Sequence, residues 1–193
     1  MNLYERFMAG TSFRGFIDAA EANKALWADQ ARLATVPADA VARVRRLGRR
    51  FSLLVLNEDW CGDAVNSVPF VARLADEAGM DLRILGRDAN PDLMDLHLSG
   101  TARAIPVVIV LDEQFEELGW WGSRPAPLQR WVTETGMTLP PEERYREVRR
   151  WYARDRGATT IEELVSLLER VAARDGVVTG PAHDGSSAMA GSR

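Results

Sequence analysis

Glu58-Asp59-Trp60-Cys61-Gly62-Asp63-Ala64 stands where an apolar strand hands over to an amphipathic helix. Before it, Phe51 to Leu56 reads as a short buried strand, with Leu53, Leu54, Val55 and Leu56 in succession. After it, Val65, Val68, Val71, Ala72, Leu74 and Ala75 recur at spacings of three and four, the period of a helix with one buried face. The only cysteine in the chain therefore falls at a helix start. Backbone N–H groups there lack intrahelical partners, and the aligned peptide dipoles place partial positive charge beside them. A thiolate is stabilised in such a place, which points to a thiol of lowered pKa. A lone cysteine can equally serve as a small buried apolar residue. Both readings stand at this point.

Upstream, Phe7 to Leu33 reads as one or two helices, with Phe13, Phe16, Ile17 and Ala20 on one face and Thr11 or Ser12 as N-cap. Pro37 opens another, in which Val41, Val44 and Leu47 fall three apart before Gly48. Downstream, the central helix runs to Gly79, and Leu82 to Leu85 is a second buried strand. Asn90-Pro91 opens a helix expected to stop at Gly100. Ala104 to Leu111 is a β-branched run announced by Pro106, which suits the first residue of an edge strand or a cis bond in a turn. Asp112-Glu113-Gln114 turns the chain into Phe115 to Trp121, ending at Gly122. Strand, helix, strand, helix and a hairpin make a βαβ unit plus an antiparallel ββ, an α/β fold with a mixed sheet flanked by helices.

Three more helices follow: one with Leu128, Trp131 and Val132, one over Glu142 to Arg154 striped by Tyr145, Val148, Trp151 and Tyr152, and one capped by Thr160. These patterns divide the chain into an N-terminal helical extension (1–48), a core (49–136), C-terminal helices (137–174) and a Gly/Ser/Ala-rich tail (175–193) expected to be disordered.

The 46% hydrophobic and 27% charged content is that of an ordinary globular protein. A net charge of −4 argues against a protein that lives on nucleic-acid phosphates. Arginines do cluster, at 43, 45, 46, 49 and 50 and again at 144, 146, 149 and 150. Acidic residues interleave the second cluster, which reads as a solvated helix face. No apolar run approaches the ~20 residues needed to span a bilayer, and Met1 to Gly10 has no signal-peptide core. One cysteine makes no disulfide framework, and two distant histidines give no zinc spacing. No metal, cofactor, nucleic acid or membrane is expected, and a reducing bacterial cytoplasm fits.

In order and spacing these elements resemble the thioredoxin family. Thioredoxins carry W-C-G-P-C at the start of the helix after the first core strand, and Trp60-Cys61-Gly62 stands in that place. Pro69 lies eight residues past Cys61, where the family has a kinking proline. Ile105-Pro106 stands where the family has its cis-proline, and Gly122 where a glycine ends the hairpin. The wider pattern E-D-W-C-G-D, with R-D-x-N-P, A-I-P and R-P downstream, is similar to a bacterial subgroup of thioredoxin-like proteins. The resemblance implies a thioredoxin-like fold over about residues 45–136. It also has gaps. Ala64 replaces the second cysteine, Asp63 replaces the intervening proline, and Val55 replaces a buried acid. Dithiol exchange needs a resolving thiol, and this chain has none.

A single thiol can still form mixed disulfides that an external thiol such as glutathione resolves. The resemblance implies Cys61 as the reacting residue, Trp60 as a wall beside it, and the backbone of Ile105 at Pro106 as the place where an extended peptide would lie. Gly62 and Asp63 complete the turn. Asp63 caps the helix dipole on one reading; on the other, with Glu58 and Asp59, it opposes thiolate formation. Arg103 is a candidate to pair with one of those carboxylates across the site. Of Trp120 and Trp121, at least one is expected in the core, and His97 reads as a surface or packed residue. Three function classes follow: a monothiol redox protein acting on a protein or small thiol, a redox-inactive binding module, and an iron–sulfur dimer of the monothiol glutaredoxin kind. The charge at Asp63 argues against the last. A homo-oligomer is left open.

Overall fold

Leu53, Leu54, Val55 and Leu56 are fully buried at the centre of β1 (Ser52–Asn57). The strand is buried on both faces, so its apolar run is continuous rather than alternating. The computed structural model describes residues 2–175. It places β1 between β2 (Asp81–Gly86), which runs parallel to it, and β3 (Val107–Leu111), which runs antiparallel. β4 (Glu117–Gly122) closes the far edge, giving the order β2-β1-β3-β4. Val55 lies opposite Ile84 on one side and Val108 on the other. This is the mixed sheet of a thioredoxin-like fold.

Four helices precede the sheet: α1 (Leu3–Ala9), α2 (Phe13–Ala19), α3 (Lys24–Leu33) and α4 (Ala38–Arg46). Ser12 caps α2 by accepting from the Gly15 N–H at 3.1 Å. Thr11 instead exchanges backbone hydrogen bonds with Ile84, at 2.9 and 2.8 Å, and so covers the outer edge of β2. An otherwise open edge is thereby paired. Helix α5 (Gly62–Ala78) links β1 to β2, holds Pro69 in its interior and ends at Gly79 in the left-handed conformation, φ 78°.

After β2 the helix is shorter than its spacing predicts. Only Pro91–Met94 is helical (α6), and the chain then turns, with His97 buried. His97 packs edge-on against Trp120, centroids 5.6 Å apart, and its ring is held at both nitrogens. Nδ1 lies 2.8 Å from the Leu93 carbonyl and Nε2 3.1 Å from the Glu117 carboxylate. Beyond β4 come α7 (Ala126–Glu134), a 3₁₀ turn (Gly136–Thr138), α8 (Pro141–Asp155) and α9 (Ala158–Asp175). Thr160 is not the cap of α9 but a buried residue inside it. The helix reaches Asp175, one residue into the segment expected as tail; the remainder of that segment lies outside the described residues.

One hydrophobic cluster joins Trp27, Val41, the sheet, the inner face of α5, and Ile161, Leu164 and Leu168 of α9. Trp121 belongs to it and also donates its indole N–H to Glu163 of α9 at 2.7 Å. A second, smaller cluster sets Leu128 and Val132 of α7 against Tyr152 of α8. Tyr145, placed by its spacing on the apolar stripe of α8, is instead exposed. Among the described residues no helix is long and apolar enough to cross a membrane.

Gly122 is demanded by a close approach. A Cβ there would lie 2.4 Å from the Pro106 carbonyl oxygen and 3.2 Å from the Val107 Cα, so backbone would have to move. Gly122→Ala is expected to lower stability by on the order of 1–3 kcal/mol, read from the urea midpoint; an unchanged midpoint would contradict the packing described. His97 gives a pH signature. Burial pulls its pKa down, but the Glu117 and Leu93 hydrogen bonds and the Glu117 charge outweigh burial and leave it raised. The stability this contributes is full below the unfolded value of about 6.5 and is lost as pH rises through the folded value. His97→Gln should flatten that decline in a urea titration run at several pH values.

Candidate functional site

β1 ends at Asn57 and α5 begins at Gly62, so Glu58 to Cys61 form the turn between sheet and helix. Cys61 is the N-cap residue, with extended backbone and no capping bond from its side chain. Its sulfur turns toward the segment before β3: Sγ lies 3.4 Å from the Ile105 carbonyl oxygen. The Ile105–Pro106 peptide is cis. Cys61 and Ile105 are thus neighbours across 44 residues of chain, and both are buried, Cys61 at 7% exposed.

Opposing influences act on the thiol. Burial pushes the Cys61 pKa up, and the Asp63 charge adds to it. The backbone N–H groups of Ala64 and Asp63, and the Arg124 charge, pull it down. Burial wins, and the thiol lies above its ordinary range. The lowered value expected from a helix start is not what the packed site produces, because the helix effect is present but smaller than desolvation.

The acidic residues around the cysteine have separate tasks. Glu58 accepts the backbone N–H of Asp88 at 2.9 Å. Asp59 accepts the N–H groups of Glu21 and Ala22, each at 2.8 Å, and its carbonyl accepts the indole N–H of buried Trp27, also at 2.8 Å. Both therefore brace loops. Asp63 is the carboxylate whose charge raises the thiol. It pairs with Arg124 at 2.6 Å and accepts the Tyr152 hydroxyl at 3.0 Å. Burial first, and then the Asp63 charge, drive the Tyr152 phenol well above its ordinary range. For Arg124, burial lowers the pKa but the Asp63 charge and hydrogen bond overcome it, so the guanidinium stays charged.

Arg103 does not reach any of these carboxylates. It forms a bidentate pair with Asp95 at 2.6 and 2.7 Å, eight residues back along its own loop, which is the nearer partner. The arginine that does meet a site carboxylate is Arg124, just past β4. Trp60 is 49% exposed, with the Arg87 guanidinium 4.9 Å from its ring centroid. Gly62 has open space around its Cα. Residues 58–63, Ile105 and Pro106 are therefore brought to one place, while Arg103 stands apart. The sequence named Tyr152 only as part of an apolar stripe and Arg124 only as the first residue of the R-P pattern, with no site role for either, and did not single out Trp27. An arginine or tryptophan far along the chain gives no local signal of the carboxylate or carbonyl it will meet. Among the described residues no group of three or more His, Cys, Asp or Glu side chains could hold a metal ion.

Comparison with known proteins bears on the fold. A family profile described as Thioredoxin matches residues 10–138. Among solved structures, a protein of unknown function from Pseudomonas aeruginosa superposes with a TM-score of 0.71 at 23% identity, covering 88% of this chain and 98% of its own. An HIV epitope-scaffold superposes with a TM-score of 0.69 at 22% identity, covering 88% of this chain and 99% of its own. At such identities these two show the fold alone. No curated protein matches the chain.

The charge assignment can be checked by alkylating Cys61 with iodoacetamide across pH. The midpoint should lie above the ordinary ~8.5 of a free thiol. Asp63→Asn should lower it, because the charge opposing ionisation is gone, and Arg124→Gln should raise it. Shifts in the opposite directions would show that the pair does not act on the sulfur.

Proposed function

Because the chain belongs to the thioredoxin family, we propose that it is a single-cysteine thiol-exchange protein, with Cys61 forming a mixed disulfide with a protein or a small thiol such as glutathione. The observation that carries this reading is the sulfur at the start of α5, 3.4 Å from the Ile105 carbonyl beside cis-Pro106. At rest the thiol is protonated and donates to that carbonyl. Loss of the proton to solvent gives the thiolate, which attacks one sulfur of a disulfide RS–SR′. A bond forms between Cys61 Sγ and RS, R′S⁻ leaves, and it takes up a proton. An external thiolate R″S⁻ then attacks the R sulfur, forming RS–SR″ and expelling Cys61 as thiolate, which takes up a proton and restores the starting protein. Reduction is paid for by the external thiols, so no second cysteine is needed.

The residues around the sulfur take distinct parts in this reading. Ile105 and Pro106 present backbone against which an extended substrate can lie. Trp60 supplies an exposed apolar wall, Gly62 leaves room at the turn, and the Asp63 charge adds to the burial that keeps the thiol protonated. A thiol held above its ordinary pKa is mostly protonated at neutral pH, which makes exchange slow there and faster as pH rises. A reducing, cytoplasmic setting suits the reading, since it supplies the resolving thiol.

Burial of the same sulfur favours a second reading, a redox-inactive module that binds partners through the fold. One experiment separates them. The native chain is incubated with glutathione disulfide from pH 7 to 10 and its intact mass recorded. One glutathione adduct per chain, increasing with pH and absent in Cys61→Ser, is expected. No adduct at any of these pH values would end the thiol reading in favour of the binding module.

A further inference from the structure

A groove of about 310 Å³ opens beside the Cys61 turn, between α3 and α8. It adjoins a second hollow of about 480 Å³, with which it shares Asn66, Arg149 and Tyr152. Its charge is one-sided. Arg124, Arg144 and Arg149 line it, and Asp63, the sole acid on the groove, is already paired with Arg124. The arginine cluster on α8 divides here. Arg146 and Arg150 pair with Glu143 and Glu147 of their own helix. Among the described residues the Arg144 guanidinium meets only the Met137 sulfur, at 3.7 Å, and the ring of Tyr145. Among the described residues Arg149 has no hydrogen-bond or ion-pair partner, and the Nε of Arg124 is buried without one. A chain of net charge −4 thus holds unsatisfied guanidinium donors along one groove.

The other lining groups have complementary chemistry. Asn23 and Asn66 donate their amide N–H to the Asp59 and Gly62 carbonyls, at 3.2 and 2.7 Å, which leaves both amide oxygens as acceptors. Leu26, Trp60 and Tyr145 line the same groove and are among the few large apolar side chains left exposed. Guanidinium donors, amide acceptors and apolar walls together match a molecule with a carboxylate, N–H groups and an aliphatic body. The volume sits at the low end of small-ligand pockets, about 300–1,000 Å³, which is too small for a folded partner.

We propose that this groove binds a peptide-like ligand of about tripeptide size through its free carboxylate. Arg144 and Arg149 take the carboxylate, and Asn23 and Asn66 accept its N–H groups. Cys61 does not line the groove, so the ligand lies beside the Trp60–Asp63 turn rather than over the sulfur. The inference rests on the thiol-exchange reading for the ligand's being a peptidic thiol, but its binding needs no reacting sulfur.

S-methylglutathione keeps the peptide and both carboxylates while lacking a free thiol, so calorimetric titration of the full chain with it isolates the groove. Saturable binding is expected, weakened about tenfold or more in Arg149→Gln and further in the Arg144→Gln/Arg149→Gln double variant. Both arginines lie on the outside of α8, and circular dichroism of the variants confirms that the helix is kept. The diester of the same probe, without carboxylates, should bind at least about tenfold more weakly. No saturable binding up to about 10 mM, or binding indifferent to both arginines, overturns the inference. Adduct formation at Cys61 without probe binding removes the groove and leaves the thiol reading; probe binding without adduct formation does the reverse.

Discussion

A carboxylate two residues from the sulfur holds the site together. Asp63 meets Arg124 from the β4–α7 junction and Tyr152 from α8, which lies 89 residues further along the chain. Exposed ion pairs contribute about 0–1 kcal/mol, and breaking a fully buried one costs about 3–5 kcal/mol. This pair is partly buried, with Arg124 at 25% and Asp63 at 13% side-chain exposure, so its worth falls between those limits. It gains from being charge-assisted and from the second hydrogen bond that Asp63 accepts, from the Tyr152 hydroxyl. Through it α8 and the start of α7 are tied to the first turn of α5, whereas α9 is held by the main core. The α7–α8 cluster is small and separate from that core, so the polar contacts add to its packing.

Burial sets the thiol's pKa, and the same charge adds to it. Helix starts favour thiolates, and the N–H groups of Asp63 and Ala64 do act in that direction. A sulfur removed from water and placed near a carboxylate feels larger opposing terms. Packing therefore reverses what local sequence implies. The sulfur is buried and hydrogen-bonded to the Ile105 carbonyl, with its pKa above the ordinary range.

The sheet is legible because β1 and β3 are short, β-branched or leucine-rich runs bounded by clear turn signals, and the positions of Cys61, Pro69, Pro106 and Gly122 carry the resemblance to the thioredoxin family that implies the fold. The helix after Pro91 was misjudged because Leu96 and Leu98 extend the apolar pattern past Met94, although the chain there turns to bury His97. Arg103 was misassigned because its neighbour Asp95 competes at shorter range than any carboxylate across the site. The thiol's sign was not legible at all. Desolvation depends on which distant side chains cover the sulfur, and no local spacing records that.

Asp59 ties the cysteine turn to the N-terminal helices from both ends of its own residue: the carboxylate takes two backbone N–H groups near Ala20, and the carbonyl takes the Trp27 indole. Those first helices are accordingly scaffolding for the turn rather than an ornament on a minimal thioredoxin. A fragment trimmed to the sheet and its nearest helices would carry the W-C-G signature yet leave that carbonyl and carboxylate bare to solvent. Transplanting the motif without its upstream brace would move the letters and lose the shape they describe.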